Sequence, residues 1–180
     1  PSTPRDCRVA SVAEDHFVVD ASGDTVLGRD VPDAPQPTFV IDYDEPAVVA
    51  LREEVVARAG ERPSPRDLER YVRSKLEVGH SRGFDIASMV AKTGKGDCTE
   101  HAVLLAALAR SFGYPARVAI GTVLFFSAGE VGAYGHAWVE LHDGGRWRVF
   151  DATPVAAEGP TAYVPETLLA NEGPGYACLL

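Results

Sequence analysis

The sequence lacks the features that would place it in a specialised class. No apolar run approaches the roughly 18 residues of a spanning helix, so no membrane insertion is expected of this piece. The longest near-continuous run, Ala102 to Ala109, suits a buried core helix. Positive charge is scarce: 17 basic against 26 acidic residues give a net charge of −9. That excludes nucleic acid as the expected partner, because phosphate binding needs a concentrated basic surface. Lysine is scarcer still, 3 against 14 arginines, a coding bias rather than chemistry. There is no internal repeat and no low-complexity segment. Cysteine is limited to Cys7, Cys98 and Cys178, too few for a disulfide scaffold and too odd a number to pair completely. Cys98 is then the free thiol, with Cys7 and Cys178 either an optional bridge between the chain ends or two unpaired thiols. A bridge would imply an oxidising compartment, and a secreted or periplasmic setting is slightly favoured over a cytoplasmic one. The chain starts at Pro1 without Met or a signal-like segment, as expected of a processed or trimmed piece.

What is present is an ordinary globular composition, 46% hydrophobic and 24% charged over 180 residues. Such a chain buries roughly 70% of its unfolded surface in one domain. Residues 1–43 read as a β extension packed on a main domain of residues 44–180. His16 to Asp20 and Thr25 to Gly28 flank a turn at Ala21-Ser22-Gly23-Asp24, a hairpin pattern. A proline-rich stretch from Val31 to Pro37 precedes another strand candidate, Thr38 to Tyr43. Helices follow: Ala47 to Ala59 behind Pro46, then Pro65 to about Val78 behind the capping residue Ser64. A short helical turn is expected around Ile86 to Ala91. From Cys98 to Phe112 the pattern is apolar on every side, so this helix is buried. Strand candidates follow at Ala116 to Phe126, Gly135 to His142 and Trp147 to Ala152, the last two joined by Asp143-Gly144-Gly145. A short helix is expected near Pro165 to Ala170. Helices followed by an antiparallel meander make the fold class α+β.

Three residues carry chemistry in this arrangement. Cys98 opens a buried helix, where unpaired N–H groups and the helix dipole favour a thiolate and can hold an oxyanion. Gly96 before it leaves room for a substrate backbone. His136 begins a strand and can meet a thiol at the helix start. Asp151 ends the next strand, 15 residues on, and can hold the other imidazole nitrogen. Each residue alone has a plainer explanation: a small buried thiol, a satisfied structural histidine, an aspartate capping the turn before Pro154. Cys98, His101, His136 and Asp151 also have the ligand types of a zinc site, but no second paired motif supports it, and Asp42, Asp44 and Glu45 lack the spacing of a calcium loop. His16, His80 and His142 read as surface or packing residues, and Trp138 and Trp147 as core and cleft wall.

The wording around these residues is recognisable. Gly96-Asp97-Cys98-Thr99-Glu100-His101-Ala102, Gly113-Tyr114-Pro115-Ala116-Arg117-Val118, Gly135-His136-Ala137-Trp138-Val139-Glu140 and Phe150-Asp151-Ala152-Thr153 occur in that order. Over about residues 84–154 the chain resembles the bacterial transglutaminase-like superfamily. The resemblance implies a papain-like fold in which a helix bearing the cysteine packs on an antiparallel sheet. It implies Cys98 as nucleophile, His136 as base and Asp151 as orienting acid. The third position after Cys98 departs from it: His101 stands where many relatives carry an aromatic or similar packing residue, and packing is its favoured role. The resemblance also implies a second oxyanion donor upstream of the cysteine, for which Tyr71, Ser74 and His80 are eligible.

The implied function is cysteine-dependent acyl transfer on an amide of a peptide or protein substrate through a thioester, with hydrolysis by a peptidase or amidase favoured. Protein crosslinking by transamidation is the alternative, and a non-catalytic peptide- or protein-binding module a third. No cofactor and no metal are called for, and the oligomeric state is open.

Overall fold

A computed structural model describes residues 36–79, 85–127, 130–154 and 161–169, with the strand backbones at 5–6, 8–13 and 16–20. In chain order the elements are β1 (Arg5–Asp6), β2 (Arg8–Ala13), β3 (His16–Asp20), α1 (Pro46–Ala59), α2 (Pro65–Lys75), β4 (Glu77–Val78), α3 (Ala87–Thr93), β5 (Lys95–Gly96), α4 (Cys98–Ser111), β6 (Ala116–Ser127), β7 (Glu130–Asp143), β8 (Arg146–Phe150) and β9 (Thr161–Leu169). The fold is α+β, with helices gathered on one face of a five-stranded sheet of order β1-β9-β6-β7-β8. β6, β7, β8 and β9 pair antiparallel, and β1 joins β9 in parallel.

Local chemistry explains the helix boundaries. α1 places Val48, Leu51 and Val55 on one buried face and stops at Gly60, whose φ of 82° suits a residue without Cβ. α2 opens on a capping box: Ser64 Oγ accepts the Asp67 N–H and the Asp67 carboxylate accepts the Ser64 N–H. A cap of this kind stabilises by about 1 kcal/mol. α4 is buried from Glu100 to Arg110. Its Val103, Leu104, Leu105 and Leu108 share one core with Val48, Leu68, Val72 and Val90 of the other helices and with Val118, Val139 and Leu141 of the sheet.

Strand alternation divides the sheet residues between two cores. Val118 and Val139 are cross-strand partners on the α4 side, whereas their neighbours Ala119 and Trp138 pair on the opposite face. There Trp138 packs in a second cluster with Val123, Val149 and Tyr163. Arg117 and Glu140 face each other across β6 and β7 in a buried ion pair, with Nε and Nη2 donating to one oxygen at 2.9 and 2.6 Å. The Arg117 guanidinium also lies 4.1 Å over the Trp147 ring.

β3 pairs antiparallel with β2, and the other half of the expected hairpin, Thr25 to Gly28, lies outside the described residues. Three sequence expectations change. Thr38 to Tyr43 forms no strand. It wraps the start of α3, with Val40 O accepting the Ala87 N–H at 2.9 Å and Asp42 Oδ1 accepting the Ser88 N–H at 2.8 Å, so its polar groups satisfy a helix end instead of a ladder. The second helix ends at Lys75, and Glu77–Val78 instead pairs in parallel with Lys95–Gly96. The segment around Pro165 is not helical but part of β9, because β6 offers it a pairing edge. Pro165 sits where the register shifts between Ile120 and Gly121, and such an irregularity tolerates a residue without an N–H.

Candidate functional site

The site forms where the first turn of α4 meets β7 beyond the end of β8. Asp97 caps α4 and Glu100 completes a capping box: the Asp97 carboxylate accepts from Thr99 N at 2.9 Å and from the Glu100 N–H, while Glu100 Oε2 accepts from Asp97 N at 2.8 Å. His101 N donates to Asp97 O. The Cys98 N–H is then the one first-turn donor of α4 without an acceptor among the described residues. The half-buried Cys98 is a free thiol.

This cap revises two sequence readings. A Cβ at Gly96 would stand 2.2 Å from Glu100 Cβ, so the side chain folded over it already requires the glycine. Two carboxylates also occupy the positive end of the helix, so the dipole and its N–H groups are largely engaged before any thiolate forms. The countercharge for a thiolate must come mainly from elsewhere.

His136 supplies it. β8 stops pairing with β7 at Val139↔Phe150, leaving His136 beyond the paired stretch. Asp151 lies one residue past the end of β8 rather than on the strand, and turns back to the imidazole. His136 Nε2 donates to Asp151 Oδ2 at 2.8 Å, which leaves Nδ1 for Cys98, the other group that raises the imidazole pKa. Burial pulls the imidazole pKa down, but the hydrogen bonds to Asp151 and Cys98 and the charges of both outweigh it, and the value is pushed up to about 9. Burial raises Asp151, but the hydrogen bond and charge of His136, with Tyr163 and the Thr153 N–H, hold its carboxyl below the ordinary carboxylate value.

Asp151 is held from every side. Tyr163 Oη donates to Oδ2 at 2.8 Å and Thr153 N to Oδ1 at 2.9 Å. Its backbone is clamped by α2: Glu69 Oε1 accepts the Asp151 N–H at 3.2 Å, and Arg73 donates to the Asp151 and Ala152 carbonyls. Glu69 is in turn paired with Arg66 and Arg73. Sequence reasoning missed Glu69, Arg73 and Tyr163. Glu69 and Arg73 are one helical turn apart on an amphipathic helix and read as solvated charges, and only the fold places α2 beside Asp151. Tyr163 precedes the expected helix at Pro165 to Ala170 and was assigned to no element, although Thr161-Ala162-Tyr163-Val164 has the composition of a strand.

The remaining candidates fall outside this constellation. The His101 ring is fully buried, Nδ1 donates to Asp97 O at 2.7 Å, and burial lowers its pKa, so it packs as a neutral ring behind the cap. Cys98, His101, His136 and Asp151 do not make a metal-holding group; no cluster of three or more potential ligands occurs among the described residues. Tyr71 Oη donates to Glu54 at 2.9 Å and Ser74 Oγ to Tyr71 O at 2.8 Å, so both proposed oxyanion donors are engaged elsewhere. His80, Cys7 and Cys178 lie outside the described residues. Trp138 is a core residue, stacked 6.3 Å from His136.

Comparison with known proteins agrees with this architecture. The family model of the transglutaminase-like superfamily matches residues 50–152, more than half of the chain. Among solved structures, a candidate cysteine protease from Cytophaga hutchinsonii aligns with a TM-score of 0.52 at 21% identity, over 70% of this chain and 44% of its own. A structure named as a TGase aligns with a TM-score of 0.48 at 19% identity, over 67% of this chain and 34% of its own. The chain therefore spans less than half the length of either, and the first likeness shows the fold alone. No curated protein matches significantly. With the matched region running from α1 to just beyond Asp151, the chain belongs to the transglutaminase-like superfamily.

Proposed function

We propose that Cys98, His136 and Asp151 perform cysteine-dependent acyl transfer on an amide, a peptide bond or a glutamine side chain, with water as the acceptor. The observation that carries this reading is the single buried imidazole set between the thiol and a carboxylate that is itself held by Tyr163 and α2. Cys98 passes its proton to His136 Nδ1 and attacks the carbonyl carbon. The Cys98 N–H is the donor positioned for the oxyanion. The imidazolium, kept protonated by Asp151, then returns the proton to the leaving amine as the C–N bond breaks, and a thioester remains. Water, deprotonated by His136, attacks the thioester and regenerates the thiol. Hydrolysis is favoured over transfer to an amine because Cys98 is only half-buried, so water has access to it. The substrate is a peptide or protein, and no helix of the described residues is long and apolar enough to cross a membrane.

The test is alkylation of Cys98 by iodoacetamide at pH 6.5, followed by mass spectrometry. Rapid labelling that is lost in His136→Ala supports the nucleophile; labelling equally slow in both proteins overturns it. A glutamine peptide offered with a labelled amine then divides the acceptors: ammonia release or peptide cleavage supports hydrolysis, and amine incorporation overturns it in favour of crosslinking.

A further inference from the structure

Beyond the end of β8 a stretch of sheet edge is left without a strand partner among the described residues. β6 covers one side of β7 along its whole length, to Glu130↔Ser127. On the other side β8 reaches only Val139, so from Trp138 back to Val131 that edge has no strand partner among the described residues. Side-chain exposure shows the same asymmetry. Val131 and Tyr134 are 58% and 62% exposed, whereas Val123 and Leu124, paired with Tyr134 and Ala133 on the covered side, are 2% and 6%.

Proteins usually guard such an edge with lysines, prolines or inward charges. Val131 to Val139 contains no Lys, Arg, Asp, Glu or Pro. At its inner end a Cβ on Gly135 would meet nothing within 4 Å, so another backbone can approach beside His136. The candidate base stands on the same stretch. Alternation puts His136 on the Trp138 and Tyr163 face, opposite the residues that pack on α4. It lies beyond the last β7–β8 pair, where β8 leaves β7 uncovered.

Resting on the acyl-transfer reading above, we propose that the acyl donor is an extended peptide that adds as a strand along the Val131–Gly135 edge of β7 and so delivers its carbonyl to Cys98. Main-chain hydrogen bonds would supply the affinity, as in other strand additions. The exposed apolar side chains of Phe126, Val131 and Tyr134 select small or apolar residues over charged ones.

The test uses acetyl-Ala-Val-Ala-Gly chloromethyl ketone and its singly N-methylated analogues, with loss of the free Cys98 thiol read by mass spectrometry. A strand ladder uses every second N–H of the added chain. N-methylation is expected to slow inactivation by about fivefold at alternate positions and to leave the intervening ones unchanged. Hydrogen exchange on the peptide adduct should show alternate β7 amides between Val131 and Gly135 gaining protection, which the iodoacetamide adduct lacks. Equal rates for all analogues, or no gain in protection, would overturn the strand addition while iodoacetamide labelling still upholds the nucleophile. Absence of rapid iodoacetamide labelling in the wild type would overturn both. Inactivation that slows as enzyme concentration rises would assign the edge to a second copy of the chain and overturn the peptide.

Discussion

At one end of the β6–β7 ladder Arg117 faces Glu140; four pairs along, Gly121 faces His136, which holds Asp151. Both couples are buried and both lie in motif-like stretches of sequence. The first is closed. An arginine does not release its proton in a protein, Trp147 stacks on the guanidinium, and β8 covers Glu140. The second contains the one group of the four that can pass a proton near neutral pH, and it stands where the covering strand has ended. Burial and charge alone thus do not distinguish the two couples; a transferable proton and the end of the covering strand do.

The largest effects should separate the two couples. His136→Ala is expected to lower turnover and Cys98 labelling by roughly a hundredfold to ten-thousandfold, and to cost stability only below about pH 9. Glu140→Ala should cost stability without that loss of chemistry. It strands a buried guanidinium and costs about 3–5 kcal/mol in denaturant unfolding, while labelling per folded molecule stays near wild type. A large loss of labelling without a loss of stability in Glu140→Ala would make Glu140 part of the chemistry and erase the distinction.

The pH dependence sharpens the same contrast. The His136 pKa is raised from 6.5 to about 9, so its contribution to stability is full below 6.5 and lost as pH rises through 9. Asp151 is lowered from 3.8, so its contribution is present above 3.8 and lost as pH falls through the lowered value. The stability gap between wild type and His136→Ala, read from thermal melts, should therefore be widest between 3.8 and 6.5 and close above about 9. Turnover should fall above pH 9 for the same reason, as the proton donor for the leaving amine is lost. Because Cys98 and His136 interact, that limb belongs to the pair. A gap that persists unchanged to pH 10 would show that the imidazolium is not what the site stabilises.

The smallest expected effect concerns the hydroxyl behind the carboxylate. Tyr163→Phe removes one donor from Asp151 Oδ2 and should cost about 1 kcal/mol. It should also move the acid limb of the pH–rate profile upward, because the carboxylate loses a hydrogen bond that lowers its pKa. An unmoved acid limb with a loss of stability would reduce Tyr163 to packing.

Much of this was legible in the chain itself. Ser64 with Pro65, Gly60, and the uninterrupted apolar run after Cys98 define helices through local propensity and patterning, and Asp143-Gly144-Gly145 turns β7 into β8. The order Cys98, His136, Asp151 was likewise readable, because a helix start and a hairpin are short-range features. What sequence could not supply was contact between elements distant along the chain. Only the tertiary structure brought Glu69 and Arg73 to the backbone of Asp151 and turned Thr161 to Leu169 into a strand whose Tyr163 reaches the same carboxylate. It also decided where β8 ends, and with it which stretch of β7 has no second strand partner among the described residues. Propensity and periodicity act over a few residues, whereas these arrangements depend on which surfaces the packed helices and sheet leave for one another.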